Sequence, residues 1–131
     1  MDVPLFPCWV AAGFPSPADD FTESVLDLND LVIAHPAATF HVKVSGDSMI
    51  GAGIHDGDIV VVDRVLAAKH HDIIIARLGN TYTIKRLYHK GKTRYLVPAN
   101  AHYQPIKITQ ETDFQVWGVV RAIVHILIPK D

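Results

Sequence analysis

From Thr39 to Ile128 the apolar residues arrive in short runs, each closed by turn-forming residues before a helical period can develop. Phe40, Val42 and Val44 alternate with His41, Lys43 and Ser45, the period-two pattern of a strand with one covered face. Asp56-Gly57-Asp58 turns the chain into Ile59-Val60-Val61-Val62-Asp63, whose unbroken β-branched run reads as a buried strand. Ile73-Ile74-Ile75-Ala76 and Thr81 to Tyr88 flank Leu78-Gly79-Asn80, a hairpin signal. Thr93 to Val97, Ile106 to Thr109 and Phe114 to Ile128 bring the count to six or seven strands. Ahead of them, Leu26 to Pro36 predicts one short helix, capped by Asp27 or Asn29 and ended by Pro36. The expected fold class is therefore mostly β, a compact domain with one short helix. A length of 131 residues supports one such domain with a real core.

Residues 1–24 follow different rules. Pro4, Pro7, Pro15, Pro17 and Gly13 prevent a regular helix and favour extended chain. Leu5, Phe6, Trp9, Val10 and Phe14 are unlike a solvated linker and predict an arm that docks on something. The expected organisation is an extended N-terminal arm over 1–24 and a β domain over 25–131.

Composition excludes several classes. A formal net charge of −2 gives no electrostatic case for broad nucleic-acid binding. Cys8 is the single cysteine, so no intrachain disulfide forms, and a reducing compartment is the simpler expectation. Asp2 and the prolines after it do not make a secretory signal. The apolar run from Val116 to Ile128 holds Arg121 and His125 and is too short to span a bilayer. The expectation is a cytoplasmic protein with no membrane association and no cofactor.

Ser48 is the first candidate for chemistry. It stands in Ser45-Gly46-Asp47-Ser48-Met49, where Gly46 permits a sharp turn after the strand through Val44. Its hydroxyl either caps the turn or is exposed as a nucleophile, with the backbone N–H groups of Asp47 and Ser48 facing a developing oxyanion. Lys85 follows 37 positions later, inside Tyr82-Thr83-Ile84-Lys85-Arg86-Leu87. Alternation sets Thr83, Lys85 and Leu87 on one face and Ile84, Arg86 and Tyr88 on the other. Most strand lysines are solvated. One on an apolar face can instead act as a base, and moving its pKa to about 7 takes roughly 4–5 kcal/mol of differential interaction. Arg86 cannot deprotonate and belongs on the outside. The eight histidines fall into no recognised zinc spacing, and His70-His71 on a strand would point opposite ways. Asp56, Asp58 and Asp63 read as turn chemistry before metal ligands, so no metal site is expected.

Five ordered motifs then fit one pattern. They are Ser-Gly-Asp-Ser-Met at 45–49, His-Asp-Gly-Asp-Ile-Val-Val-Val-Asp-Arg at 55–64, Tyr-Thr-Ile-Lys-Arg-Leu at 82–87, Leu-Val-Pro-Ala-Asn at 96–100 and Val-Trp-Gly-Val-Val at 116–120. From Gly13 to about Val124 the chain resembles the UmuD branch of the LexA-like self-cleaving peptidases. The resemblance implies a catalytic dyad at Ser48 and Lys85. Gly-Phe-Pro-Ser-Pro-Ala at 13–18 looks like the segment after that family's cleavage site, which implies a scissile bond between Ala12 and Gly13. It also implies stimulation by a RecA–single-stranded-DNA filament, a processed homodimer, and a Y-family polymerase subunit as partner in error-prone lesion bypass. The arm before Gly13 is shorter than is usual there, and His71 stands before Asp72 where a small residue is usual.

Three other readings compete. A repressor of this kind needs a helix-turn-helix, which the proline-broken 24 residues do not provide, so no sequence-specific DNA binding is expected. A signal-peptidase-like enzyme would need a membrane anchor. A non-catalytic β interaction module would leave Ser48 and Lys85 as packing residues.

Overall fold

The computed structural model describes residues 2–5 and 24–130. They fall into two compact units, divided between Ala34 and His35.

In the first unit, β1 (Asp2–Leu5) pairs antiparallel with β2 (Ser24–Asp27), Pro4 facing Val25. Of the predicted arm, residues 6–23 lie outside the described residues; in β1 proline is tolerated because a two-stranded ribbon has an outer edge. Helix α1 (Leu28–Val32) follows directly, and the Asp27 carboxylate caps it by accepting from the Asn29 N–H at 2.9 Å. The helix ends earlier than expected, at Val32, with Ile33 as its C-cap. Pro36 instead begins a single 3-10 turn, Pro36–Ala38, a position where its fixed φ is an advantage.

The second unit is one antiparallel sheet of seven strands. They are β3 (Thr39–Lys43), β4 (Ile59–Asp63), β5 (Ile73–Leu78), β6 (Thr81–Lys90), β7 (Thr93–Val97), β8 (Ile106–Ile108) and β9 (Phe114–Val124), in the spatial order β3-β4-β9-β5-β6-β7-β8. The mostly β expectation is met, and β4 and β7 have the predicted bounds. The last strand stops four residues short of its predicted end at Ile128. Val124 pairs with Ile59, the first residue of β4, and beyond it no partner strand remains to satisfy the backbone.

Both faces of the central strands are covered. On one face Ile75 and Ile84 pack with Val44, Met49, Ile54, Val60 and Val62. On the other, Ile74 and Ala76 pack with Leu87, Leu96, Ile108 and Val119. This two-sided burial is why β4 and β5 read as continuous apolar runs rather than alternating ones. Each fully buried aliphatic side chain here contributes about 1.5–3 kcal/mol. The long strand β9 meets its neighbours with two register shifts, between Val61 and Val62 of β4 and between Ile75 and Ala76 of β5. Such bulges bend a strand and re-aim side chains, and Trp117 and Arg121 lie at the two shifts. Among the described residues, no helix is long and apolar enough to cross a membrane.

Candidate active site

The serine turn is held from two sides. Gly46 adopts φ 90°, as the sharp turn after Val44 requires, and its N–H donates to the Asp56 carboxylate at 2.8 Å. From the other side comes the chain that leaves β7. The Ala99 N–H donates to the Ser48 carbonyl at 2.8 Å, and the Gly51 N–H donates back to the Ala99 carbonyl at 2.7 Å. Gly51 has no room for a side chain, because a Cβ there would stand 2.6 Å from the Ala99 carbonyl oxygen. The Asn100 amide donates to the Asp47 carbonyl at 3.0 Å, and the Tyr103 hydroxyl donates to the Asp47 carboxylate at 2.6 Å. That bond, and then the negative charge of Asp47, raise the pKa of Tyr103 above the ordinary value of 10.0.

Lys85 meets this turn because of where β7 stops. The β6–β7 pairing runs only from Lys90 back to Arg86, opposite Val97. Beyond it, β6 from Lys85 toward Thr81 has no β7 partner, and the chain leaving β7 bonds to the Ser48 turn instead. Lys85 Nζ lies 3.0 Å from Ser48 Oγ, 2.7 Å from Thr83 Oγ1 and 3.1 Å from the Ile84 carbonyl oxygen. The residue is buried at 8% relative exposure, and among the described residues no carboxylate forms an ion pair with it. Desolvation alone therefore pushes its pKa below the ordinary 10.5. Ser48 itself is half-buried, with the hydroxyl at the wall of a cleft of about 250 Å³ lined by Val42, Val44, Ile75, Tyr82 and Thr83. An apolar recess of about 300 Å³ adjoins it, sharing Val42, Ile75 and Tyr82 and closed by Trp117. Phe40 stacks obliquely on Trp117 at 5.3 Å, and Arg64 lies 4.4 Å over the same indole. The backbone N–H groups of Asp47 and Ser48 donate to no acceptor among the described residues.

The sequence brought Ser48, Asp47 and Lys85 forward, and the fold sets them side by side. Ala12 and Gly13 lie outside the described residues. Thr83, Ala99, Asn100 and Tyr103 were missed as parts of the site. Thr83 was readable, since strand alternation places it on the lysine's face. The Leu-Val-Pro-Ala-Asn motif carried Ala99 and Asn100, but its purpose appears only once β7 is seen to hand the chain to the serine turn. Arg86 is half-buried rather than outside, its guanidinium donating to the His71 carbonyl at 2.8 Å. His70 and His71 occupy a turn, not a strand, and their rings stack at 3.7 Å. His71 has φ 76°, the left-handed conformation that suits a smaller residue better.

Asp58 and Asp63 are buried, not loose turn residues. Asp63 accepts from the His35 ring at 2.6 Å and from the Val65 N–H at 2.9 Å. Asp58 accepts from the His55 N–H at 2.8 Å and meets the His125 ring at 2.5 Å.

A β domain that seats a buried lysine against a serine hydroxyl, at the edge of a cleft, has the outline of a serine peptidase. The chain belongs to the Peptidase S24-like family, whose pattern it matches over residues 4–121. Within that family it is UmuD-like. It is 44% identical to Protein SamA of Salmonella typhimurium, over 93% of this chain and 84% of that protein. It is 39% identical to Protein MucA of Escherichia coli, over 90% of this chain and 81% of that protein. It is also 41% identical to LexA repressor 2 of Pseudomonas syringae pv. tomato, over 88% of this chain but only 57% of the repressor.

Proposed function

We propose that this protein is a self-cleaving serine peptidase of the mutagenic DNA-damage response, with Ser48 as nucleophile and Lys85 as general base. The observation that carries the reading is the 3.0 Å approach of a buried lysine, without a carboxylate partner among the described residues, to a serine hydroxyl. A neutral lysine is needed, and desolvation works in that direction.

In the proposed reaction, neutral Lys85 takes the proton from Ser48 Oγ, which bonds to the Ala12 carbonyl carbon. The N–H groups of Asp47 and Ser48, which donate to no acceptor among the described residues, hold the oxyanion. Collapse breaks the Ala12–Gly13 bond, and Lys85 gives its proton to the departing Gly13 amine. Water, deprotonated by Lys85, then releases Ala12 from the ester and restores Ser48. Residues 1–24 serve as the substrate arm and 25–131 as the peptidase domain. Cleavage leaves Gly13 to Asp131, which pairs as a homodimer and joins a Y-family polymerase subunit in translesion synthesis. A RecA–single-stranded-DNA filament stimulates the cut, which places the event in the cytoplasm. The UmuD-like relatives support this assignment over that of a repressor.

Incubating the purified chain near pH 10 tests the dyad. We expect slow loss of the first twelve residues by mass spectrometry, and none in Ser48→Ala or Lys85→Ala. Cleavage that persists in both variants would remove the dyad from the mechanism, and no cleavage of the wild-type chain would favour a non-catalytic interaction module.

A further inference from the structure

Away from the serine cleft, the edge of the sheet where β4 begins and β9 ends gathers a second set of reactive groups. Ile59 pairs with Val124, so the residue before β4 and the residue after β9 are brought together by register. These residues are Asp58 and His125. His55 joins them from the preceding turn, three positions before Asp58. One ligand-type atom from each of His55, Asp58 and His125 lies within 4.8 Å of the others.

We propose that His55, Asp58 and His125 form a binding site for a divalent transition-metal ion of the zinc class. The two imidazoles approach opposite oxygens of one carboxylate. His125 Nδ1 lies 2.5 Å from Asp58 Oδ1, and His55 Nδ1 lies 3.6 Å from Asp58 Oδ2. The second distance is beyond hydrogen-bond range, so the His55 ring turns a nitrogen toward the carboxylate without bonding to it. A hydrogen-bonded pair would need only His125. The carboxylate is held in place by the His55 N–H at 2.8 Å, the kind of outer support that orients a metal ligand.

Two imidazole nitrogens and one carboxylate suit zinc, nickel or cobalt rather than magnesium or calcium. Ligand atoms around a tetrahedral zinc stand about 3.3 Å apart, given bonds near 2.0–2.1 Å. Around an ion the His125–Asp58 distance would open from 2.5 Å and the His55–Asp58 distance would shorten from 3.6 Å, and both side chains, 47% exposed at His55 and 49% at His125, have solvent to turn into. That exposure also leaves an entry path and an open coordination position for water. Asp58, at 3% exposure, is the fixed point.

The site sits on the scaffold of the serine turn without touching its chemistry. The Asp58 carbonyl accepts from the Val44 N–H at 2.8 Å, and Gly57 donates back to the Val44 carbonyl at 2.8 Å. A bound ion would clamp the end of β9 to this base.

The test is isothermal titration of the tag-free, chelator-treated full chain with zinc chloride, alongside His55→Ala and His125→Ala. We expect one equivalent bound by the wild-type chain, a rise in Tm, and affinity lowered by at least about tenfold in each variant. Cobalt(II) should give a ligand-field absorption spectrum that both variants lose. Both substitutions fall on exposed side chains, and matching circular dichroism spectra would establish that the variants fold. No stoichiometric binding, or binding unchanged in both variants, would overturn the proposal.

Discussion

Lys85 and Asp63 are both charged residues buried in the same sheet, yet the protein treats them in opposite ways. Asp63 is surrounded by donors: the His35 ring, the Val65 N–H and, at 3.9 Å, the Arg121 guanidinium. The His35 hydrogen bond, more than any other contact, holds its carboxyl below the ordinary 3.8 and keeps it ionised. Lys85 receives hydroxyl and carbonyl oxygens but, among the described residues, no anion, and burial moves its pKa down, toward the neutral form. A buried charge given its partners stays ionised, and removing a partner destabilises the fold. A buried charge denied them costs stability and becomes a base. The difference separates structural from chemical use of burial within one sheet.

Replacing Lys85 breaks that comparison most severely. Lys85→Met keeps the side chain's length and apolar stem. We expect self-cleavage to fall by about 10²–10⁴-fold, the usual range for loss of a general base. Thermal denaturation at neutral pH should show Tm unchanged or raised, because the variant no longer buries an amine that lacks a carboxylate partner among the described residues. A marked loss of Tm would mean that Lys85 is a packing residue first.

Asp63→Ala should do the reverse. It strips His35 and the Val65 N–H of their acceptor, so urea denaturation should show a lowered midpoint, while the refolded chain still cleaves itself. The pH profiles have definite signs. The folded-state pKa of Asp63 is depressed, so its contribution is present above 3.8 and lost as pH falls through the lower folded value. Lys85 is also depressed, so stability should rise as pH climbs from its folded value toward 10.5. Urea titrations across pH should show a weaker acid-side loss in Asp63→Ala and no alkaline gain in Lys85→Met.

The smallest expected effect comes from Thr83, whose hydroxyl accepts from Lys85 at 2.7 Å and favours the protonated amine. Thr83→Val should lower the pH midpoint of self-cleavage by less than about one unit, the equivalent of one hydrogen bond. A midpoint that moves upward would show that Thr83 supports the neutral lysine instead.

The strands were legible because two-sided burial and turn chemistry are written locally: Ile59 to Val62 needs no distant information to read as a covered strand. Asp27 was legible as a cap for the same reason. The ends of elements were less so. The limit of β9 at Val124 depends on where β4 starts, and the end of α1 at Val32 precedes the proline that was expected to stop it. The resemblance marked His71 as standing where a small residue is usual, but its φ of 76° is a property of the three-dimensional path.

The sequence by itself determined the mostly β class, the serine turn with its glycine, and the lysine on an apolar strand, since each rests on neighbours a few positions away. Tertiary structure decided the rest. It ended β7 at Val97, so that the chain through Ala99 and Asn100 could hold Ser48 beside Lys85. It paired Ile59 with Val124 and so brought His125 to Asp58, 67 positions away. The physical reason is that hydrogen-bond register and solvent exclusion are properties of the assembled sheet. Whether a buried lysine keeps its proton depends on what the rest of the chain places around it.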